Sequence, residues 1–167
     1  MSFIHKYFAT WFGLGFSPKA PGTMGSLGTL PMIALIVWFV PAWPSLLVGM
    51  FSVNAFALLA VALFFVSIPS VNWMIQRYSC EDPQMVVIDE VVGLTLTFAF
   101  VDTSLLRDHP WLLLLGFALF RFFDILKPLG IHRLESLPGA WGVMADDLLG
   151  GFYAGILLAV SGLFIRR

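Results

Sequence analysis

The hydrophobic positions of this chain fall in long runs separated by short polar stretches. Residues 3–14, Phe-Ile-His-Lys-Tyr-Phe-Ala-Thr-Trp-Phe-Gly-Leu, are aromatic-rich but too short to span a bilayer. They predict an interfacial helix ended by Gly13 and Gly15. An apolar run then covers residues 27–43, broken by Pro41 and Pro44, and a second covers 45–68 with Asn54 as its only strongly polar residue. The prolines predict a two-helix hairpin at that junction. Further runs cover residues 85–101, 111–126 and 148–165. In the last, Gly151, Gly155 and Ala159 recur every fourth residue, the small-residue face that lets membrane helices approach closely. The third and fourth runs are short, since sixteen helical residues reach only about 24 Å. The pattern therefore predicts an all-α, polytopic membrane helical bundle with an N-terminal interfacial helix and about four to five membrane-embedded segments.

Composition supports this reading. Of 167 residues 59% are hydrophobic and 11% charged, too much apolar surface and too few charges for a soluble domain of this size. A single membrane-embedded domain, 1–167, is expected. The net charge of −1 carries no nucleic-acid footprint. The lone Cys80 excludes an internal disulfide and a thiolate metal site. No cleavable signal peptide is evident after Met1.

Charge placement sharpens the picture. With five crossings, the loop 15–26, the start of the third segment, the end of the fourth and the start of the fifth all face one compartment. The unusual polar clusters, distant in sequence, thus converge on one membrane surface. Lys6, Lys19, Arg77, Lys127 and Arg133 lie on that side, against Arg107, Arg166 and Arg167 opposite. The excess favours the cytoplasm, although Arg166-Arg167 pull the other way.

Two acidic pairs stand out, Asp89-Glu90 and Asp146-Asp147, the second directly before the last apolar run. Carboxylates in such a setting are costly unless compensated, and a metal ion is the obvious compensator. The alternative for Asp146-Asp147 is capping of a helix N-terminus; that reading suits Asp89-Glu90 less, because they follow several apolar residues. Adjacent helical residues point about 100° apart, so one metal would take one acid from each pair. Hard oxygen donors without nearby His or Cys point to Mg²⁺ rather than Zn²⁺. Arg121, Asp124 and Lys127 recur at i, i+3, i+6 and stay on roughly one helix face. They form either a self-compensated set or a phosphate clamp with Asp124 on a metal. The glycine- and proline-rich loop supplies Lys19, Thr23, Ser26 and backbone N–H groups ahead of a helix, an arrangement suited to an anion but weak by spacing alone. His5, His109 and His132 are scattered without metal-ligand spacing. Together these features suit phosphoryl chemistry on a substrate whose body lies in lipid.

Four blocks carry a family resemblance: Ser17-Pro18-Lys19-Ala20-Pro21-Gly22-Thr23-Met24-Gly25-Ser26-Leu27, Val87-Ile88-Asp89-Glu90-Val91-Val92-Gly93, Phe120-Arg121-Phe122-Phe123-Asp124-Ile125-Leu126-Lys127-Pro128 and Gly142-Val143-Met144-Ala145-Asp146-Asp147. In this order they resemble the phosphatidylglycerophosphatase A family over nearly the whole chain. The resemblance implies Mg²⁺-dependent hydrolysis of phosphatidylglycerophosphate to phosphatidylglycerol, in the bacterial inner membrane with the site facing the cytoplasm. It implies Asp89, Glu90, Asp146 and Asp147 as metal ligands or base, Asp124 as a further ligand, and Lys19, Thr23, Ser26, Arg121 and Lys127 as phosphate-binding. Departures from the family pattern fall at Leu14, Gly130, Glu135 and Ala140 and concern loop shape, since none removes a charge. Water attack and a phosphoenzyme through Thr23, Ser26 or Asp89 stay open, as do the number of metals and the choice between monomer and homodimer. The signatures of the histidine-dependent lipid phosphatases and of the CDP-alcohol phosphotransferases are absent. The alternative of another class is a small membrane transporter or ion-binding protein using intramembrane acids.

Overall fold

The computed structural model describes the backbone of residues 2–40, 45–48 and 51–165. It is an all-α bundle, with α1 (Ser2–Ala9), α2 (Pro21–Phe39), α3 (Phe56–Tyr78), α4 (Ile88–Thr97), α5 (Thr103–Asp108), α6 (Trp111–Leu126) and α7 (Ala140–Ile165). Among the described residues one small antiparallel hairpin, β1 (Ser45–Val48) with β2 (Phe51–Asn54), links α2 to α3, Ser45 pairing with Asn54. By length and composition α2, α3 and α7 can cross a bilayer. At 10 and 16 residues, α4 and α6 reach about 15 and 24 Å, short of the roughly 30 Å hydrocarbon core.

Several boundaries differ from the sequence reading. α2 begins at Pro21 rather than Leu27, because Pro21 occupies the first helical position, where a missing N–H costs nothing. The run 45–68 is not one helix: β1 and β2 lie within it, and α3 continues through Pro69 into the polar stretch as far as Tyr78. Asn54 explains the changeover. Buried, it donates to the carbonyls of Phe98 and Val101 at 3.0 and 2.7 Å, and its Oδ1 accepts the Phe56 N–H at 2.9 Å beside the start of α3. Pro41 and Pro44, and Arg166-Arg167, lie outside the described residues.

The helix starts also reverse the capping expectation. Asp89 and Glu90 stand in the first turn of α4, where the helix dipole favours carboxylates. Asp146 and Asp147 are well inside α7, beyond its first turn, and cap nothing. The start of α7 is served instead by Asn72 of α3, whose Oδ1 accepts the Ala140 N–H at 3.0 Å.

α4 is the hub, packed by α2, α3, α6 and α7 and buried over most of its length. Its closest partner is α7, and glycines make the approach. A Cβ on Gly151 would collide with the Gly93 carbonyl; one on Gly93 would come within 2.5 Å of the Asp147 carbonyl and of the Phe120 ring. Gly155 likewise sits against the Thr97 carbonyl and the Phe100 ring. The anticipated small-residue face of α7 therefore packs on α4 and the turn after it. α1 lies against α3 through His5, whose Nδ1 is 3.0 Å from Ser70 Oγ and whose ring stacks on Trp73. The Ala9 carbonyl accepts the Val87 N–H at 3.0 Å, which ties α1 to the entrance of α4.

This close approach is testable with neighbouring glycines. Gly151→Ala forces two backbones apart and should destabilise the detergent-solubilised protein by about 1–3 kcal/mol. Gly150→Ala meets only ordinary contacts, the nearest Phe123 Cβ at 3.7 Å, and should melt close to wild type. Equal melting of both variants in a thermal scan would contradict the packing described.

Candidate active site

The helix ends that carry the polar blocks meet around one cavity of about 810 Å³. The first turns of α2 and α4, the last turns of α3 and α6, the early part of α7 and the segment before it contribute its walls. Eight carboxylates line it against two cations, Arg121 and Lys127.

α2 supplies backbone donors. Ala20, left-handed at φ 47°, turns the chain so that Pro21 opens the helix. The first helical bond runs from the Met24 N–H to the Ala20 carbonyl, leaving the N–H groups of Gly22 and Thr23 without helical partners at the cavity wall. Gly22 leaves room for the site's side chains: a Cβ there would displace Glu90 Oε1 and come within 3.4 Å of Arg121 Nη1.

α4 and α7 supply the acids. Asp89, Glu90 and Asp147 each offer a carboxylate oxygen, and all three oxygens lie within 4.8 Å of one another. Asp89 and Asp147 are buried, and Glu90 Oε2 is buried without a hydrogen-bond partner. Asp89 Oδ1 accepts the Glu90 N–H at 3.1 Å, which orients its carboxylate. An unpartnered carboxylate oxygen among converging hard donors, with no His or Cys, fits a small divalent cation.

The neighbouring acid behaves differently. Asp146 Oδ1 accepts the Asp147 N–H at 2.9 Å, while its Oδ2 accepts from Lys127 Nζ at 2.5 Å. Lys127, left-handed at the end of α6, also donates to Glu135 Oε1 at 2.5 Å. The other Glu135 oxygen lies 2.6 Å from His132 Nδ1. Burial pulls the Lys127 ammonium down, but hydrogen bonds to Asp146 and Glu135 outweigh it and the net shift is upward. The bond from Lys127 holds the Glu135 carboxyl below its ordinary value, whereas partial loss of hydration raises Asp82 at the cavity edge. On α6, Arg121 pairs with Asp124 one turn on, while Arg121 Nε is buried without a partner.

Asp89, Glu90, Thr23, Arg121, Asp124, Lys127, Asp146 and Asp147 thus all line the cavity. Lys19 and Ser26 are not among its lining residues. Lys19 is exposed; Ser26 is buried, its hydroxyl donating to the Gly22 carbonyl at 2.9 Å. Sequence reasoning did not anticipate the Glu135 bridge, the wall made by Glu81, Asp82 and Gln84, or the Asn72 cap. Their segments lack helical periodicity, or the partner is a backbone group, so spacing gave no signal.

A family model described as phosphatidylglycerophosphatase A matches residues 7–161. A Bacteroides thetaiotaomicron protein named "Putative phosphatidylinositol-3-phosphatase" is 41% identical over 162 residues, covering 96% of this chain and 94% of its own length. Proteins named phosphatidylglycerophosphatase A from Haemophilus influenzae and Escherichia coli are 32% and 30% identical. These cover 90% and 92% of this chain, and 83% and 81% of their own lengths. No solved structure matches the chain.

Proposed function

The chain belongs to the phosphatidylglycerophosphatase A family and is a membrane phosphatase, and from that premise we propose how it acts and on what. Its substrate is phosphatidylglycerophosphate, whose terminal phosphate monoester is hydrolysed to give phosphatidylglycerol and phosphate, with Mg²⁺ as cofactor. The observation that carries this reading is the meeting of Asp89, Glu90 and Asp147 with Arg121 and the start of α2 in one cavity.

Each group has a task in that reading. Asp89, Glu90 and Asp147 hold the metal, with Asp124 and Asp146 next to them. Bound there, Mg²⁺ would neutralise phosphate oxygens and acidify a coordinated water. The N–H groups of Gly22 and Thr23, the Thr23 hydroxyl and the Arg121 guanidinium hold the terminal phosphate and stabilise charge in the transition state. Arg121 has a free donor in Nε, and its pairing with Asp124 fixes the guanidinium plane. Lys127 contributes positive charge from a fixed position. Lys19, exposed beside the lining residue Ala20, raises the local concentration of anionic lipid. Ser26, spent on the Gly22 carbonyl, supports the first turn of α2.

A second reading rests on the Bacteroides relative, whose name specifies an inositol lipid. Both substrates are phospholipids ending in a phosphate monoester, so the machinery would be shared and only the headgroup would differ. Purified protein in detergent, offered each lipid in turn, separates them. Release of phosphate from phosphatidylglycerophosphate should exceed release from phosphatidylinositol 3-phosphate, stop with a chelator and return with Mg²⁺. Asp89→Asn and Asp147→Asn should each lower kcat by more than about 100-fold. Faster turnover of the inositol lipid would favour the second reading, and full activity of either variant would remove the metal assignment.

The site faces the cytoplasm of the bacterial inner membrane in this proposal, on the weight of Lys6, Lys19, Arg77, Lys127 and Arg133. Cys80, the chain's single cysteine, is exposed in the segment after α3, on the cavity side. A membrane-impermeant maleimide should label it in inverted vesicles and leave it untouched in intact spheroplasts. The reverse pattern would turn the protein around.

A further inference from the structure

The cavity has two kinds of border. Near the helix ends stand Glu81, Asp82, Gln84, Glu135 and Ser136, all exposed and polar. On α6 stands Ile125, next to Asp124 and one turn from Arg121. Ile125 lines the cavity and is also 66% exposed on the outer surface. Around it Phe122, Leu126 and Leu129 are exposed too, while Leu112, Gly116, Phe120 and Phe123 form the buried face of α6. In a membrane bundle the outer face of α6 meets lipid, so at Ile125 a single side chain belongs both to the cavity wall and to the lipid-facing surface. The lining residues of α2, Pro21, Gly22 and Thr23, complete this side, with Gly22 next to Arg121.

We propose that the cavity opens sideways to the bilayer at Ile125, between the last turn of α6 and the first turn of α2. The opening seats the glycerol backbone and first acyl methylenes of the diacyl phospholipid whose terminal phosphate lies at the carboxylates. This rests on the lipid phosphatase reading above and adds the route by which the lipid enters. Two acyl chains do not leave the bilayer readily, and on the polar border the exposed apolar lining is limited to Leu137 and Pro138. That border is hydrated and gives water-soluble species their approach instead. Lipid enters between α6 and α2.

Kinetics on two substrates test this. Phosphatidylglycerophosphate in mixed micelles needs the opening, whereas its water-soluble deacylated headgroup, glycerophosphoglycerophosphate, can enter past the polar border. Ile125→Trp should lower kcat/KM for the diacyl lipid at least about tenfold more than for the deacylated compound. Leu114→Trp, on the same helix, 65% exposed and outside the cavity, should leave both unchanged. Equal effects of Ile125→Trp on the two substrates, or the same selective loss in Leu114→Trp, would overturn the proposal. A second arm reads binding without turnover. A benzophenone side chain placed at 125 should cross-link phosphatidylglycerophosphate in preference to phosphatidylglycerol in mixed vesicles, and one at 114 should not discriminate. Should wild type release phosphate from neither substrate, the activity assigned above would fall. The cross-link ratio would then decide the opening, and equal ratios at 125 and 114 would reject it.

Discussion

Three carboxylates crowded at a buried helix contact impose the constraint on which the rest of this molecule depends. The oxygens of Asp89, Glu90 and Asp147 lie within 4.8 Å of one another. At an effective dielectric of about 20, each fully ionised pair would repel by at least about 3.5 kcal/mol, before any cost of removing the charges from water. Such a cluster persists only when other interactions hold the helices together and positive charge is at hand. The glycine contact between α4 and α7 provides the first. Gly93 sits against the Asp147 carbonyl and Gly151 against the Gly93 carbonyl, so the backbones bearing the acids are fixed at their closest approach. The dipole of α4, the start of α2 and Arg121 provide part of the second, and a divalent cation would supply the remainder.

The same constraint separates the two members of the C-terminal acidic pair. Side chains one residue apart on a helix leave it about 100° apart. Yet Asp89 and Glu90 both reach the cluster, so α4 gives two acids where one from each pair was expected and α7 gives one. Asp147 turns to Asp89 and Glu90, while Asp146 turns to Lys127. Lys127 is thereby neutralised on both sides, by Asp146 and Glu135, and it ties the segment after α6 to α7. Arg121, with Nε unpaired, is the cation better disposed toward an incoming phosphate. A cavity so acidic at its outer edge and apolar at Ile125 gives water and lipid separate approaches to one reacting phosphate.

Much of this was legible in the sequence because membrane burial makes charge rare. Asp89, Glu90, Arg121, Asp124, Asp146 and Asp147 stood out against apolar neighbours, and counting crossings brought them to one face. What spacing could not provide was helix phase. Reading the last apolar run as starting at Leu148 put Asp146-Asp147 at a helix end, whereas α7 starts at Ala140, its first N–H taken by Asn72 from a helix distant in sequence. The apolar run from Ser45 read as helix because hydrophobicity alone does not distinguish a strand from a helix, and Asn54 sets the boundary through carbonyls some 44 and 47 residues away. Ser26 looked like a phosphate ligand from its motif, yet once α2 begins at Pro21 its hydroxyl falls on the Gly22 carbonyl one turn back.

The central claim is that Asp89, Glu90 and Asp147 form a divalent-cation site, and direct binding tests it without reference to turnover. Mn²⁺ can stand in for Mg²⁺, and its free fraction can be followed by electron paramagnetic resonance as it is titrated into the detergent-solubilised protein. Wild type should deplete free Mn²⁺, excess Mg²⁺ should release it, and Asp147→Asn that remains folded should deplete at least about tenfold less at the same concentration. Equal depletion by wild type and Asp147→Asn would contradict the account.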